Sequence, residues 1–306
     1  MRQPYELKRV TLANGIELDI VDEGPRDAGA MIFLHGFPES HWTWRNQLPH
    51  FADRYRVVAP DQRGYCQSSK PEGVENYTPD KLAADIFLLA DALGIEKFTL
   101  VGHDWGGAIA WMVALMGGAN GPEPYRGRVE RLIILNAPHP FIFQRLLIEN
   151  EEQRAASQYM RGFRDPANDN LIREKGIAGI LMQEVGWAGS DALTDQDRQI
   201  YFRDWAEPGA AFAMLNWYRA STIEVPAVGE DAPRTALLDA PIPPVTMPTL
   251  VIWAMEDRAL PACNLEGMKE VIPDLKIVKV PGCGHFVQWE KPDMVNAAMD
   301  EWLAQT

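Results

Sequence analysis

A ten-residue segment, FTLVGHDWGG at positions 98–107, constrains the fold of this chain more than any other part of the sequence. It begins as an apolar run rich in β-formers, has glycines on both sides of Asp104, and leads into a stretch with helical spacing. Glycines favour a sharp, strained turn here, because a Cβ atom would leave too little room for the neighbouring backbone. The segment therefore predicts a strand, a tight turn that presents Asp104, and a helix.

Strand and helix patterns alternate on both sides of this segment. Helical spacing of apolar residues occurs in Thr78–Leu93, Gly107–Met116 and Pro292–Ala304. Such alternation is typical of an α/β fold, in which helices cover a mostly parallel sheet. The predicted strands are Ile16–Val21, Ala30–Leu34, Arg56–Ala59, Phe98–Val101, Leu132–Leu135, Leu250–Ala254 and Lys276–Val280.

The alternation stops between residues 140 and 244. This stretch is rich in Arg, Glu, Trp and Tyr, contains helical segments and no convincing strand, and ends near the proline-rich PIPPVTMP. We interpret it as a helical lid, or cap, inserted into the α/β core. The predicted domains are therefore a first part of the core at 1–139, the lid at 140–244, and a second part of the core at 245–306.

Composition excludes several classes of protein. The 306 residues include 29 basic and 43 acidic ones, for a net charge of −14, which disfavours binding to nucleic acid or to an anionic membrane surface. No apolar run reaches the roughly 18–20 residues of a membrane span, and the N-terminus lacks the apolar region of a signal peptide. Three cysteines without metal-ligand spacing indicate free thiols and a cytoplasmic location. No motif defines a subunit interface, so the sequence leaves the oligomeric state open, and a homodimer is compatible with it.

Asp104 lies in a pattern with the form of a nucleophile elbow, with Asp in the place where lipases carry Ser. Together with the loop His35-Gly36-Phe37-Pro38 and the downstream segment PGCGHFVQWEKP, this pattern resembles the α/β-hydrolase fold over nearly the whole chain. The resemblance is to the branch with an aspartate nucleophile. That branch includes epoxide hydrolases, haloalkane dehalogenases and haloacetate dehalogenases, which work without a cofactor or metal.

The resemblance implies an acid and a histidine after the nucleophile, in that order. Asp257 follows a strand-like run and is the expected acid, with the adjacent Glu256 as a minor alternative. His285 is the expected base. Some haloalkane dehalogenases carry the acid at another position, which is Asn136 here and therefore not a carboxylate. The remaining histidines that we considered are expected to be structural, namely His41, His50, His103 and His139.

The nature of the nucleophile indicates the substrate. A carboxylate is ionised at pH 7 and needs no base to attack. Its attack on a saturated carbon gives an ester that water can hydrolyse, whereas serine would give an ether that is hard to release. Hydrolysis of the ester develops a negative charge on oxygen, which needs N–H donors. The resemblance implies the backbone N–H groups of Phe37 and Trp105 as these donors, with a cis bond between Phe37 and Pro38.

The leaving group separates the three activities. Haloacetate dehalogenases have arginines at the positions that are Trp105 and Ala108 here, so that activity is disfavoured. Haloalkane dehalogenases hold the halide with two N–H donors, often a Trp after the nucleophile and an Asn or Trp elsewhere. Trp105 fits the first role, but the usual Asn position is Phe37, which has no side-chain donor. Epoxide hydrolases use two lid tyrosines, and the segments Asn216–Arg219 and Tyr159–Pro166 resemble the two that carry them.

We therefore expect an epoxide hydrolase that makes a vicinal diol from a small apolar epoxide. Tyr159 and Tyr218 are the expected donors to the epoxide oxygen, with Tyr201 as the alternative to Tyr159. Haloalkane dehalogenase and a non-catalytic binding protein of the same fold remain as alternatives. The residues predicted to line the substrate pocket are Phe37, Trp105, Phe141 and Trp187.

Overall fold

The computed structural model describes residues 5–184, 191–232, 238 and 241–306. In this part of the chain, eight strands form one sheet, and strands β1 and β2 join it in antiparallel fashion while the others run parallel. The order across the sheet is β1-β2-β4-β3-β5-β6-β7-β8. The strands are β1 (Lys8–Thr11), β2 (Glu17–Glu23), β3 (Ala30–Leu34), β4 (Arg56–Pro60), β5 (Phe98–His103), β6 (Val129–Leu135), β7 (Thr249–Ala254) and β8 (Leu275–Val280).

The predicted α/β architecture with a mostly parallel sheet is confirmed. Seven of the strands coincide with the predicted runs to within a few residues, but β1 was not predicted. It has only four residues, KRVT, three of them exposed, and it lies at the edge of the sheet. A short polar edge strand has no apolar alternation by which the sequence could reveal it.

Helices surround the sheet. Short 3-10 turns also occur at His41–Trp44, Val74–Tyr77, Pro166–Asn168 and Ala262–Leu265. In the described ranges, no helix has the length and apolar character needed to cross a membrane. The helices are α1 (Leu48–Phe51), α2 (Pro79–Ala92), α3 (Asp104–Gly117), α4 (Pro140–Glu149), α5 (Glu151–Ala156), α6 (Tyr159–Arg164), α7 (Asp169–Glu184, with a kink at Gly176), α8 (Asp195–Trp205), α9 (Ala210–Ala220), α10 (Met268–Val271), α11 (Val287–Glu290) and α12 (Pro292–Leu303).

The central strands are buried on both faces, which explains their uninterrupted apolar runs. In β3, Met31 and Phe33 belong to one hydrophobic cluster, whereas Ile32 and Leu34 belong to the cluster on the opposite face. Because side chains alternate along a strand, each central strand contributes to two cores, one under each layer of helices. Because β3, β5, β6 and β7 run parallel, their carboxyl ends lie at the same edge of the sheet, where loops can bring polar side chains together.

Helices α4–α9 follow β6 and precede β7 in the chain, where the sequence predicts the lid. They lie between Pro140 and Ala220, within the interval 140–244 proposed above. The division into core and lid remains a prediction, although the change from alternating strands to helices alone occurs at the expected place.

Candidate active site

Asp104 lies at the junction of β5 and α3. Its φ angle of 51° is in the left-handed region, which a residue with a side chain adopts only when the surrounding structure enforces it. A Cβ atom on Gly106 would lie 2.2 Å from the carbonyl oxygen of Leu34 and 2.4 Å from that of His35. A glycine is therefore required where the turn presses against β3. The strand, strained turn and helix that the sequence predicts are all present.

Backbone N–H groups meet the Asp104 carboxylate from two sides. The N–H of Phe37 donates to Oδ1 over 2.7 Å, and the backbone N–H of Trp105 helps to lower the pKa of this carboxylate. The loop after β3 comes so close that a Cβ atom on Gly36 would lie 2.4 Å from the Asp104 Cβ. The Phe37–Pro38 peptide bond is cis. The two donors that the sequence predicts therefore converge on one side chain.

His285 lies between two carboxylates. Its Nδ1 is 2.7 Å from Oδ2 of Asp257, and its Nε2 is 3.5 Å from Oδ2 of Asp104. The Asp257 contact orients the ring so that Nε2 faces the turn. The nucleophile, base and acid that the sequence predicts are thus brought into one constellation from three separate loops.

Asp257 is itself held by several donors. Its Oδ1 accepts from the backbone N–H groups of Ala259 and Leu260, both over 2.9 Å. Its Oδ2 accepts from the side-chain amide of Asn136 over 2.7 Å, while the Asn136 Oδ1 accepts from the N–H of Ala254. In the sequence, Asn136 is distinguished only as a position without a carboxylate. Its contact with Asp257 depends on the adjacency of β6 and β7, which local sequence does not reveal.

The charges of this constellation shift each other's pKa values. Burial opposes ionisation of Asp104, but the hydrogen bond and positive charge of His285 and the N–H of Trp105 hold its pKa below the usual range. Burial alone would lower the pKa of His285, but the Asp257 and Asp104 carboxylates raise it well above its ordinary value. At neutral pH Asp104 is therefore ionised and His285 is an imidazolium.

Two tyrosines of the predicted lid face Asp104 across a cavity. Tyr159 begins α6, Tyr218 lies on α9, and their rings meet edge to face with centroids 6.1 Å apart. Burial, followed by the nearby Asp104 charge, raises the pKa of Tyr159. Burial and the neighbouring Tyr159 and Asp104 raise that of Tyr218 as well. Both phenols therefore keep their protons at neutral pH, and both residues line the cavity that contains Asp104.

Tyr201 lies elsewhere. Its hydroxyl donates to Oε1 of Glu39 over 2.6 Å, in a buried position on α8, and Tyr201 is not among the described residues that line the cavity. The geometry thus favours Tyr159 over Tyr201 as the partner of Tyr218.

The cavity is mostly apolar, and it differs in part from the predicted pocket. Trp105 lines it, but Phe37 and Phe141 are not among the described lining residues. The Phe37 ring packs against Phe163, and Phe141 stacks on His139. Trp187 lies outside the described residues. The described lining residues are Asp104, Trp105, Ala108, Pro138, Pro140, Phe143, Tyr159, Met160, Tyr218, Ile223 and Leu260.

The difference at Phe141 has a simple cause. Phe143, two residues later on α4, faces the cavity instead. Two positions along a helix rotate a side chain by roughly 200°. Sequence identifies an aromatic stretch here, but only the docking of α4 decides which ring faces the substrate.

The other histidines are engaged in local structure. His103 is buried, its Nε2 contacts the carbonyl oxygen of His285, and burial lowers its pKa to about 3. His41 pairs with Asp61 over 2.9 Å, and exposed His50 contacts Asp300. His139 lies buried beside Trp111. Among the described residues, no group of three or more His, Cys, Asp or Glu side chains could hold a metal ion.

A titration tests the coupling between Asp104 and His285. Replacing Asp104 with Asn keeps the shape of the side chain but removes one of the two negative charges that raise the pKa of His285. We expect the His285 pKa, measured by NMR of the imidazole nitrogens, to fall in Asp104→Asn. Asp300→Asn is the control, because Asp300 contacts His50 rather than His285. An unchanged His285 pKa in Asp104→Asn would contradict the proposed charge coupling.

Comparisons with known proteins agree with this geometry. The model of the α/β hydrolase fold family matches residues 29–292. A solved structure described as a novel epoxide hydrolase from metagenomes of hot environments is 60% identical, covers 98% of this chain and 99% of its own, and has a TM-score of 0.91. An epoxide hydrolase of Bacillus megaterium is 33% identical with a TM-score of 0.84, covering 97% of this chain and 100% of its own. Epoxide hydrolase 2 of Caenorhabditis elegans is 30% identical, over 97% of this chain and 79% of that protein. This chain therefore belongs to the α/β hydrolase fold family and, within it, to the epoxide hydrolases.

Proposed function

We propose that the chain converts a small apolar epoxide and water into a vicinal diol through an ester of Asp104. The observation that carries this proposal is the common cavity, which contains the Asp104 carboxylate and both phenols, of Tyr159 and Tyr218. A carboxylate can attack a ring carbon, and two phenols can donate to the ring oxygen that departs. The remaining lining is largely apolar, which suits a substrate without charge.

In the first step, a carboxylate oxygen of Asp104 attacks a ring carbon. The new C–O bond forms as the bond between that carbon and the epoxide oxygen breaks, and the departing oxygen takes a proton from one of the two phenols. The proton that His285 gives up after ring opening restores this phenol. The indole of Trp105 packs edge to face against the Tyr218 ring, with centroids 5.0 Å apart, which supports the phenol from the side. The attacking oxygen is Oδ2, since Oδ1 is occupied by the N–H of Phe37.

In the second step, His285 removes a proton from water, and the hydroxide attacks the ester carbonyl carbon of Asp104. The bond between that carbon and Oδ2 breaks, and the diol leaves with Oδ2 and takes the proton from His285. The Asp104 carboxyl group then ionises, and its proton returns to His285. The negative charge develops on Oδ1, which already accepts from Phe37 at 2.7 Å. Asp257 stabilises the imidazolium that forms. Esterification removes the charge of Asp104, one of the causes of the raised His285 pKa. Ring opening thereby favours the neutral imidazole that the second step requires.

Haloalkane dehalogenation receives less support. In haloalkane dehalogenases two side-chain N–H donors hold the halide. Trp105 carries one such donor, but Phe37 has none. The phenols of Tyr159 and Tyr218 suit a leaving oxygen, which must be protonated, better than a halide, which needs no proton. A non-catalytic role is disfavoured by the assembled nucleophile, base and acid.

A cytoplasmic location is part of the proposal. The three cysteines, Cys66, Cys263 and Cys283, are free thiols in the described structure. Unpaired thiols are typical of a reducing compartment.

The activity is tested with a panel of styrene-type and glycidyl epoxides and bromoalkanes of similar size. We expect diol from at least one epoxide without added metal, and equal rates in the presence of a chelator. Product is measured by chromatography and bromide by ion analysis. Release of bromide with every epoxide left intact would favour the dehalogenase alternative.

A His285→Gln variant tests the ester. Gln cannot act as a base, so ring opening by Asp104 should proceed while hydrolysis of the ester stops. Mass spectrometry should then find a stoichiometric substrate adduct on the peptide that contains Asp104. His50→Gln is the matched control and should turn over without accumulating an adduct. An adduct on a different peptide would identify another nucleophile.

The lid phenols are tested by Tyr→Phe changes, which keep the ring and remove one hydroxyl. General acid catalysis contributes about 10²–10⁴ in rate, and either phenol can partly replace the other. Each single change, Tyr159→Phe or Tyr218→Phe, should therefore slow pre-steady-state alkylation of Asp104 by less than that range. The double variant should nearly abolish alkylation. Wild-type alkylation in the double variant would remove the main support for an epoxide substrate.

A further inference from the structure

Helix α8 of the predicted lid contacts the loop that carries Phe37. Three of its residues at positions i, i+3 and i+4, which share one face of a helix, form hydrogen bonds with the three consecutive loop residues 38–40. The bonds are Trp205 Nε1 to the Pro38 carbonyl oxygen (2.5 Å), the Tyr201 hydroxyl to Glu39 Oε1 (2.6 Å) and the Ser40 hydroxyl to Asp204 Oδ2 (2.9 Å).

The same face of α8 makes a further contact one turn earlier. Asp197 accepts from the indole N–H of Trp42 over 2.7 Å and pairs with Arg45 over 3.0 Å. Asp197 also closes the capping box with Thr194 at the start of α8. The beginning of the helix is therefore fixed to the same loop region as its end.

Glu39 connects this contact to the interior of the core. Its side chain is 1% exposed, and burial raises its pKa, a shift that its hydrogen bonds oppose. Besides Tyr201, it accepts from Thr43 (2.6 Å), Trp289 (2.9 Å) and Gln288 (3.2 Å). A buried carboxylate is costly without such donors. Tyr201 is the donor among them that comes from the predicted lid.

We propose that Tyr201 and Trp205 are positioning residues for the oxyanion site, because they hold residues 38 and 39 so that the N–H of Phe37 remains on Oδ1 of Asp104. This inference rests on the ester mechanism proposed above. In it, the predicted lid does more than supply phenols to the cavity. One of its helices sets the alignment of a core donor through side chains that never touch the substrate.

The two steps of the reaction depend differently on this alignment. The N–H of Phe37 is needed most when charge develops on Oδ1, which happens during hydrolysis of the ester. Ring opening depends chiefly on the phenols of Tyr159 and Tyr218. Loss of the α8 contacts should therefore slow ester hydrolysis selectively, and the ester should accumulate.

Tyr201→Phe and Trp205→Phe test this inference, since each removes one hydrogen-bond donor and keeps an aromatic ring. Removing an oxyanion donor costs about 10²–10³ in rate, and a displaced donor should cost less, so we expect ester hydrolysis to slow roughly tenfold. Ring opening, measured by stopped-flow with substrate in single turnover, should change little. Quenched samples in steady state should contain more Asp104 adduct than the wild type.

Tyr77→Phe is the matched control. Tyr77 is also buried, and its hydroxyl donates to the carbonyl oxygen of Pro71 over 2.9 Å, outside the α8 contact. Both rates should remain at the wild-type level in this variant. If Tyr201→Phe does not fold, two other variants test the contact between α8 and the loop. Trp205→Phe removes the bond to Pro38, and Ser40→Ala removes the bond to Asp204.

Three outcomes would overturn the inference: equal slowing of both steps, slowing of ring opening alone, or no slowing of either. Slowing of ring opening alone would identify Tyr201 as a phenol donor to the substrate instead. Failure of the ester mechanism is a separate result, because His285→Gln would then give no adduct on Asp104 whatever residue occupies position 201.

Discussion

The requirement to keep a negative charge on a buried carboxylate governs the architecture around Asp104. Removing such a charge from water costs several kcal/mol unless hydrogen bonds and an opposite charge replace the solvent. Here the N–H groups of Phe37 and Trp105 and the His285 imidazole meet the carboxylate. That arrangement requires the loop after β3 to touch the turn after β5, which leaves no space for a side chain at Gly36. The same groups that stabilise the resting carboxylate are those that the proposed ester hydrolysis uses.

The position of His285 between two carboxylates gives the proposed reaction an internal order. Both Asp257 and Asp104 raise the pKa of His285, so the resting imidazole holds a proton and pairs with the ionised nucleophile. Esterification neutralises one of the two partners, whereas Asp257 is unaffected and remains held by the amide of Asn136. The base therefore becomes available after ring opening, when it is needed. Electrostatic coupling of this kind requires no conformational change.

The helices between β6 and β7 contact the site in two ways. Tyr159 on α6 and Tyr218 on α9 present hydroxyls to the cavity that contains Asp104. Helix α8 instead makes its hydrogen bonds with the loop behind the oxyanion donor, with Tyr201 and Trp205 at its centre. Tyrosines of the same predicted lid thus have different partners. The distinction matters because their substitution is expected to slow different steps of the reaction.

The sequence by itself determined the features that depend on neighbouring residues. The turn at Asp104 followed from its flanking glycines, and the central strands followed from apolar runs that are buried on both faces. Strand β1 escaped detection because a short, exposed edge strand has no such pattern. Which of Phe141 and Phe143 faces the cavity depends on how α4 docks, and the partner of Tyr201 depends on a residue 162 positions away. The support of Asp257 by Asn136 likewise required β6 and β7 to be adjacent. Such contacts join distant parts of the chain, so only the tertiary structure decided them.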